Sequence, residues 1–145
     1  MATLSKSAKF AMGVQIFLLR RGWMGKMDDF VMIITTTGRK SGKKFTTPIA
    51  YQRDGENIIA VNPGNSNWLH NVAASGEAML EIKRQVIPVS GVVVKEAQER
   101  QRIFDLYRQN PATFERLFKV PASAPETELQ QAMAKWQFVK FTKKQ

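Results

Sequence analysis

The residues best equipped for chemistry stand together in "TTTGRKSGKKFTTP", Thr35 to Pro48. Four cations (Arg39, Lys40, Lys43 and Lys44) and two glycines fall within the seven residues 38–44. Gly38 and Gly42 permit backbone conformations with φ > 0. Successive amides in such a turn can point into one concavity and hold an anion. Arg39 brings a planar fork suited to phosphate or carboxylate, and the lysines bring point charges. Thr35, Thr36, Thr37 and Ser41 add hydroxyl donors. The chemistry that fits is retention of a phosphate or a polyanionic tail. The turn is no P-loop: G-x-x-x-x-G-K-[ST] is absent and no helix is expected after it. A solvated hairpin loop, its lysines keeping an edge soluble, is the competing reading.

The other reactive residue types exclude more than they offer. The chain has no cysteine, which removes disulfides, thiolate catalysis and cysteine metal sites. His70 is the only histidine, so a multi-histidine metal site is excluded, and no metal is expected. Its imidazole titrates near neutrality and could donate a proton. Alone on a short helix, it reads better as a surface or capped histidine. Asp54 and Glu56 form a turn pair, and Glu77 and Glu81 sit on a helix end and a strand; none is given a catalytic role. Trp68 could stack on a ring or anchor its helix. Tyr51 alternates with Ala50 along a strand, so only one of them faces the interior; Tyr107 reads as a core tyrosine, although it could reach a substrate oxygen.

The formal charge is +10, spread unevenly at +7 over residues 1–50, −1 over 51–100 and +4 over 101–145. Such a balance suits anionic partners: nucleic acid, a phosphorylated cofactor or an anionic membrane. Nucleic acid ranks behind the cofactor and is not expected. Phe45 is the only aromatic beside the basic turn, whereas single-strand binders interleave several with their charges.

The elements that must position these residues follow from periodicity and punctuation. At 145 residues one domain with a real core is expected over 1–145. It divides into an N-terminal helix (1–25), strands with the binding turn (30–94), and helices with a final strand (95–145). Residues 4–20 read as an amphipathic helix with Phe10, Val14, Phe17 and Leu18 on one face. Six strands follow: 30–36, 45–53, 57–62, 78–82, 86–94 and 136–141. Asp54-Gly55 marks a hairpin turn. "NPGNSN" reads as a loop, after which Ser66 can cap a helix from 67 to about 74. Further helices are expected over 96–108, after Pro111, and over 126–135. Consecutive antiparallel strands with helices at start, middle and end indicate a mainly β fold, a six-stranded antiparallel barrel decorated by helices.

No stretch is long enough to span a bilayer; "FAMGVQIFLL" is about half the required length. It lacks a small-residue cleavage site, so it reads as retained, with a cytoplasmic location as the default. Lys6, Lys9, Arg20 and Arg21 around an apolar face would allow residues 4–21 to lie on the inner face of an anionic membrane. Packing over the barrel is the alternative.

Taken in order, "IITTTGRKSGKKFTTPIAYQRDGENIIAV" and "NWLHNVAASGEAMLEI" resemble the deazaflavin (F420)-dependent nitroreductase family of the flavin-binding split β-barrel superfamily. The resemblance covers roughly residues 30–94. It rests on T-T-G-R-K-[ST]-G, the Thr47-Pro48 pair, R-D-G and W-x-x-N. It implies a split barrel that holds coenzyme F420 in a groove. Reduced F420 would deliver a hydride to a quinone, nitroaromatic or activated alkene. The resemblance implies that Thr37, Gly38, Arg39, Lys40, Ser41, Gly42, Lys43 and Lys44 would hold the phosphate and polyglutamate tail. Pro48 and the loop Asn62-Pro63-Gly64 would face the deazaflavin ring. Trp68 would pack near that ring, and Asn71 would fix its helix. No side chain is singled out as an acid or base; solvent could protonate the product. The alternatives on the same fold are an FMN-dependent reductase and a non-enzymatic carrier of a flavin, fatty acid or heme. A monomer and a homodimer are both compatible with the exposed barrel edges. Three features depart from the family pattern: Phe45 stands where many members have arginine, the loop before Trp68 is short, and Phe104, Phe114 and Phe118 occupy the region where several have tyrosines.

Overall fold

A computed structural model describes residues 5–144. The expected helix begins one residue outside them, at Leu4. Helix α1 spans Lys6–Arg20, and Ser5 caps it by accepting the Ala8 amide at 3.1 Å. A short 3-10 turn, Gly25–Asp29, leads into strand β1, Val31–Thr37. The remaining strands are β2 (Lys44–Ala50), β3 (Gln52–Asp54), β4 (Asn57–Asn62), β5 (Glu77–Ile82), β6 (Gln85–Val93) and β7 (Gln137–Lys143). Helix α2 (Asn67–Ser75) lies between β4 and β5. Helices α3 (Ala97–Arg108), α4 (Pro111–Phe118) and α5 (Glu126–Ala134) lie between β6 and β7.

All seven strands form one antiparallel sheet in the order β2-β1-β5-β6-β7-β4-β3. The sheet curls into a split barrel whose free edges are β2 and β3. The expected number of strands was six. The difference arises at Tyr51, where the run 45–53 leaves β1 and begins to pair with β4. Two bonds hold that corner: the Tyr51 amide donates to the Phe30 carbonyl at 2.9 Å, and its hydroxyl donates to the Asp28 carbonyl at 2.9 Å. A continuous β-rich run therefore hides a change of partner. The β5–β6 connection is tight because Lys83 and Arg84 both adopt positive φ, +50° and +69°, whose twist suits a two-residue hairpin.

Two cores share the sheet. Inside the curl, Met32, Ile34, Leu80, Val89, Val139 and Phe141 pack against Trp68, Leu69 and Val72 of α2. Full burial of an aliphatic side chain of this size contributes about 2 kcal/mol. Gly91 allows the helix this close, since a Cβ there would stand 2.6 Å from Val72 Cγ1. On the other face, Ile59 and Phe138 pack with Ile103, Phe104, Phe114 and Phe118 from α3 and α4. Strand β7 thus buries both faces, as its alternation of Phe138 with Val139 and Phe141 requires.

Of the four residues expected on one apolar face of α1, three point outward and Leu18 is half-buried. Leu19 is buried, and Met12, Ile16 and Leu18 are half-buried, while Phe10, Val14 and Phe17 point out at 75%, 42% and 48% exposure. Both faces of this helix are apolar, so periodicity alone cannot choose between them. Arg20 makes a two-pronged bond to Glu81 at 2.9 Å, and Arg84 reaches Asp28 at 3.0 Å. Together they fasten the end of α1 and the 3-10 turn to the β5–β6 hairpin.

Candidate functional site

The basic turn is the loop of the β1–β2 hairpin. Its geometry comes from bonds inside it. The Gly38 amide donates to the Lys43 carbonyl at 2.7 Å, the Gly42 amide to the Gly38 carbonyl at 3.0 Å, and the Lys43 amide to Ser41 Oγ at 3.2 Å. Gly42 has φ +74°, as a glycine turn predicts. Gly38 does not take positive φ; it is needed for space, since a Cβ would lie 2.6 Å from the Phe45 ring and 2.8 Å from Ser41 Oγ.

Helix α2 clamps this turn from within. Asn71, fully buried, accepts from the Arg39 amide at 3.3 Å and from Arg39 Nη1 at 3.0 Å. Its own Nδ2 donates to Thr36 Oγ1 at 3.0 Å. One amide side chain therefore ties β1, the turn and α2 together. Asn71 thus holds Arg39 by both its backbone amide and its guanidinium.

Two adjoining hollows meet at this clamp. A polar one of about 160 Å³ is walled by Gly38, Arg39, Lys40, Ser41 and Asn71, with Phe45 and Asn67 at its border. Phe45 and Asn67 also border a larger groove of about 500 Å³. That groove fills the split between β2 and the end of β4, with Trp68 as its inner wall and Met12 of α1 at its mouth. Its size is that of a site for a flat organic molecule. The lining includes Thr46, Thr47, Pro48, Ile49 and Val61, and no carboxylate, amine, imidazole or phenol.

The structure sorts the residues expected at the site. Gly38, Arg39, Lys40, Ser41 and Asn71 come together in the polar hollow, and Pro48, Asn62 and Trp68 line the groove. By register, Phe45, Thr47 and Ile49 share the inner face with Thr36, Ile34 and Met32, whereas Pro48 pairs with Ile33 on the outer face and borders the groove along the free edge. Trp68 is buried and lies 6.4 Å from the Phe141 ring, so it anchors α2 while it walls the groove. Gly42 and Lys43 shape the turn without lining either hollow. Thr37 and Lys44 are not brought to Arg39. They pair across the hairpin on the outer face of the sheet, where Lys44 Nζ donates to Thr37 Oγ1 at 2.8 Å.

The loop after β4 also differs from expectation. Asn62 Oδ1 accepts from the Gly64 amide at 2.8 Å and the Asn65 amide at 3.2 Å. These amides are spent on the loop itself. Asn62, Asn65 and Ser66 line the groove; Pro63 and Gly64 do not. Ser66 makes no side-chain cap to α2; its Oγ meets Asn62 Nδ2 at 2.6 Å instead.

His70 lies outside both hollows. Tyr107 belongs to the second core with Phe104 and Phe118, and burial holds its phenol above the ordinary tyrosine range. Phe104, Phe114 and Phe118 fill that same core, away from the groove. Sequence reasoning missed Asn67, Phe45 and the inward set Thr47 and Ile49. The signals were present: Asn67 precedes Asn71 by four residues on one helix, and 45, 47 and 49 follow the period of a strand.

A hollow of cationic and amide donors joined to an uncharged groove fits an elongated ligand with an anionic end and a flat ring. F420 has that form, so the residues present fit it: Arg39, Lys40 and Ser41 would hold its phosphate, and Trp68, Thr47 and Ile49 would border its ring.

The family model of the F420H(2)-dependent quinone reductases matches residues 18–120. Among solved structures, an F420-H2 dependent reductase (FDR-A) aligns with a TM-score of 0.53 at 21% identity, over 77% of this chain and 92% of its own. A chain described as a domain-swapped dimer aligns at 0.55 and 20%, over 94% and 99%. A putative pyridoxamine 5'-phosphate oxidase from Listeria innocua aligns at 0.56 and 8%, over 91% and 93%. At these identities the likeness is one of fold, and the fold is the split barrel.

Proposed function

We propose that this chain, which belongs to the F420H(2)-dependent quinone reductase family, reduces a quinone at the open side of the groove. The observation that carries this reading is that the hollow beside Arg39 adjoins the groove, with Phe45 and Asn67 lining both. Bound there, reduced F420 supplies the hydride. The chain supplies position. Arg39, oriented by Asn71, and Lys40 hold the anionic end. Thr47 and Ile49 from β2 and Trp68 from α2 would border a flat ring and keep water from it. No lining group can exchange a proton near neutral pH, so solvent protonates the product. Nitroaromatics and activated alkenes are further acceptors of the same class.

Fluorescence titration of the purified protein with F420 and, separately, with FMN tests the cofactor. F420 binds tightly and the double change Arg39→Ala with Lys40→Ala weakens it by about tenfold or more. Preference for FMN would keep the fold and change the cofactor. No binding of either by folded protein would end the reductase reading.

Phe10, Val14 and Phe17, with Trp23 at 64% exposure, face outward beside Lys6, Lys9 and Arg21. This favours peripheral contact with an anionic membrane, where quinones dissolve. No helix among the described residues is long and apolar enough to cross one. The free edges of β2 and β3 favour a homodimer, which the domain-swapped neighbour also supports. Light scattering that returns a monomer at high protein concentration would remove that assembly.

A further inference from the structure

The hollow beside Arg39 and the groove have two lining residues in common, Phe45 near the start of β2 and Asn67 at the start of α2. Neither is charged. Phe45 is 45% exposed, and its partner across the hairpin is Thr36. Its ring lies against the turn, in the space that Gly38 leaves: a Cβ on Gly38 would stand 2.6 Å from Phe45 Cε2. No other aromatic ring and no cation among the described residues stacks on it. Phe45 is thus seated on one side and open on the other, at the point where the cations of the turn give way to uncharged walls.

A phosphate gains nothing there. An apolar ring returns no hydrogen bond for the water an anion would lose. An uncharged chain that carries both C–H groups and hydroxyls is better matched. The C–H groups gain by leaving water for the phenyl ring. The hydroxyls can donate to the Asn67 carboxamide and accept from it. In F420 a chain of this kind joins the ring to the phosphate.

We propose that Phe45 and Asn67 form a linker subsite, in which Phe45 packs on the hydroxylated chain between the ring and the phosphate of F420. The inference rests on the reading that the phosphate lies beside Arg39 and the ring in the groove. It adds a contact that no charge provides. Salt screens the hold of Arg39 and Lys40 on an anion, because both are at the surface. The Phe45 contact is apolar and keeps its strength as salt rises.

Three ligands map the contact: the bare deazaflavin ring, the ring with its linker but no phosphate, and complete F420. Each is titrated by fluorescence at low and at high salt. Phe45→Ala weakens the ring with linker and complete F420 by the same factor, about fivefold, the scale of half a phenyl side chain returned to water. The factor holds at both salt concentrations, and the bare ring loses nothing. Arg39→Ala gives the opposite pattern: it weakens complete F420 alone, and less so at high salt. Phe45→Leu keeps most of the apolar surface and recovers most of the loss. Phe45 is exposed on an edge strand, and unchanged melting curves show that the variants fold. Equal affinity of Phe45→Ala and wild-type protein for the ring with linker overturns the subsite. So does a loss that appears only with complete F420, or one that fades with salt. A bare ring weakened by the same factor places Phe45 against the ring and overturns the linker contact. Failure of folded wild-type protein to bind complete F420 would end the reductase reading, and the subsite with it.

Discussion

At the scale of single residues, Asn71 is the key to the site. Its two ends face different partners, Arg39 and Thr36, and burial leaves no water to replace it. A buried amide of this kind costs about 1–3 kcal/mol when its partners are left unsatisfied. Asn71→Ala is expected to weaken F420 binding by about tenfold through Arg39. A double-mutant cycle with Arg39→Ala checks this. The two changes together are expected to cost little more than Arg39→Ala alone. Full additivity would show that Asn71 and Arg39 act separately. A truncated deazaflavin without the phosphate should bind the Asn71→Ala protein almost as well as wild type, which separates loss of positioning from loss of fold.

At the scale of elements, α1 has two apolar faces with two different duties. Met12, Ile16 and Leu19 face the protein, and Met12 reaches the mouth of the groove. Phe10, Val14 and Phe17 face away from it. Arg21 lies 4.8 Å above the Phe17 ring, which keeps a cation beside the apolar patch. In vesicle co-sedimentation, wild-type protein is expected to partition onto anionic vesicles more than onto zwitterionic ones, and less as salt rises. Phe10→Ser with Phe17→Ser should cut partition about tenfold or more, since each phenyl group inserted contributes about 2 kcal/mol. The melting temperature should barely move, because these rings contribute little burial. Equal partition of wild type and variant would assign the exposed face to another partner.

At the scale of the whole molecule, the site depends on how close α2 comes to the sheet. That distance is set by Gly91, where a Cβ would meet both Val72 at 2.6 Å and the Phe141 ring at 3.1 Å. Both are buried core side chains with nowhere to go. Gly91→Ala is expected to destabilise the fold by about 1–3 kcal/mol through overpacking. It should also weaken F420 binding, because α2 carries both Trp68 and Asn71. Chemical denaturation with a parallel titration measures the two effects. A stable variant with unchanged affinity would mean that the helix can shift without disturbing the clamp.

Much of this was legible in the residues themselves. The run Gly38–Lys44 states its own chemistry, because charge density and glycine conformational freedom are local properties. The strand runs read at 30–36, 57–62 and 78–82, and the helix opening at Asn67, are local too. So is the likeness carried by T-T-G-R-K-S-G and W-x-x-N. Other features were settled only by tertiary contact. Tyr51 breaks one β-rich run into two strands because its amide and hydroxyl are bound by residues more than twenty positions earlier. The end of α1 and the 3-10 turn are tied to the β5–β6 hairpin by the pairs Arg20–Glu81 and Arg84–Asp28, which no helical period encodes. The cations of one short turn were divided between two sides of a sheet by hairpin register, leaving Arg39 with Asn71 and Lys44 with Thr37. Residue types set which interactions are available. The sheet, by alternating its side chains between two faces, decided which of them meet.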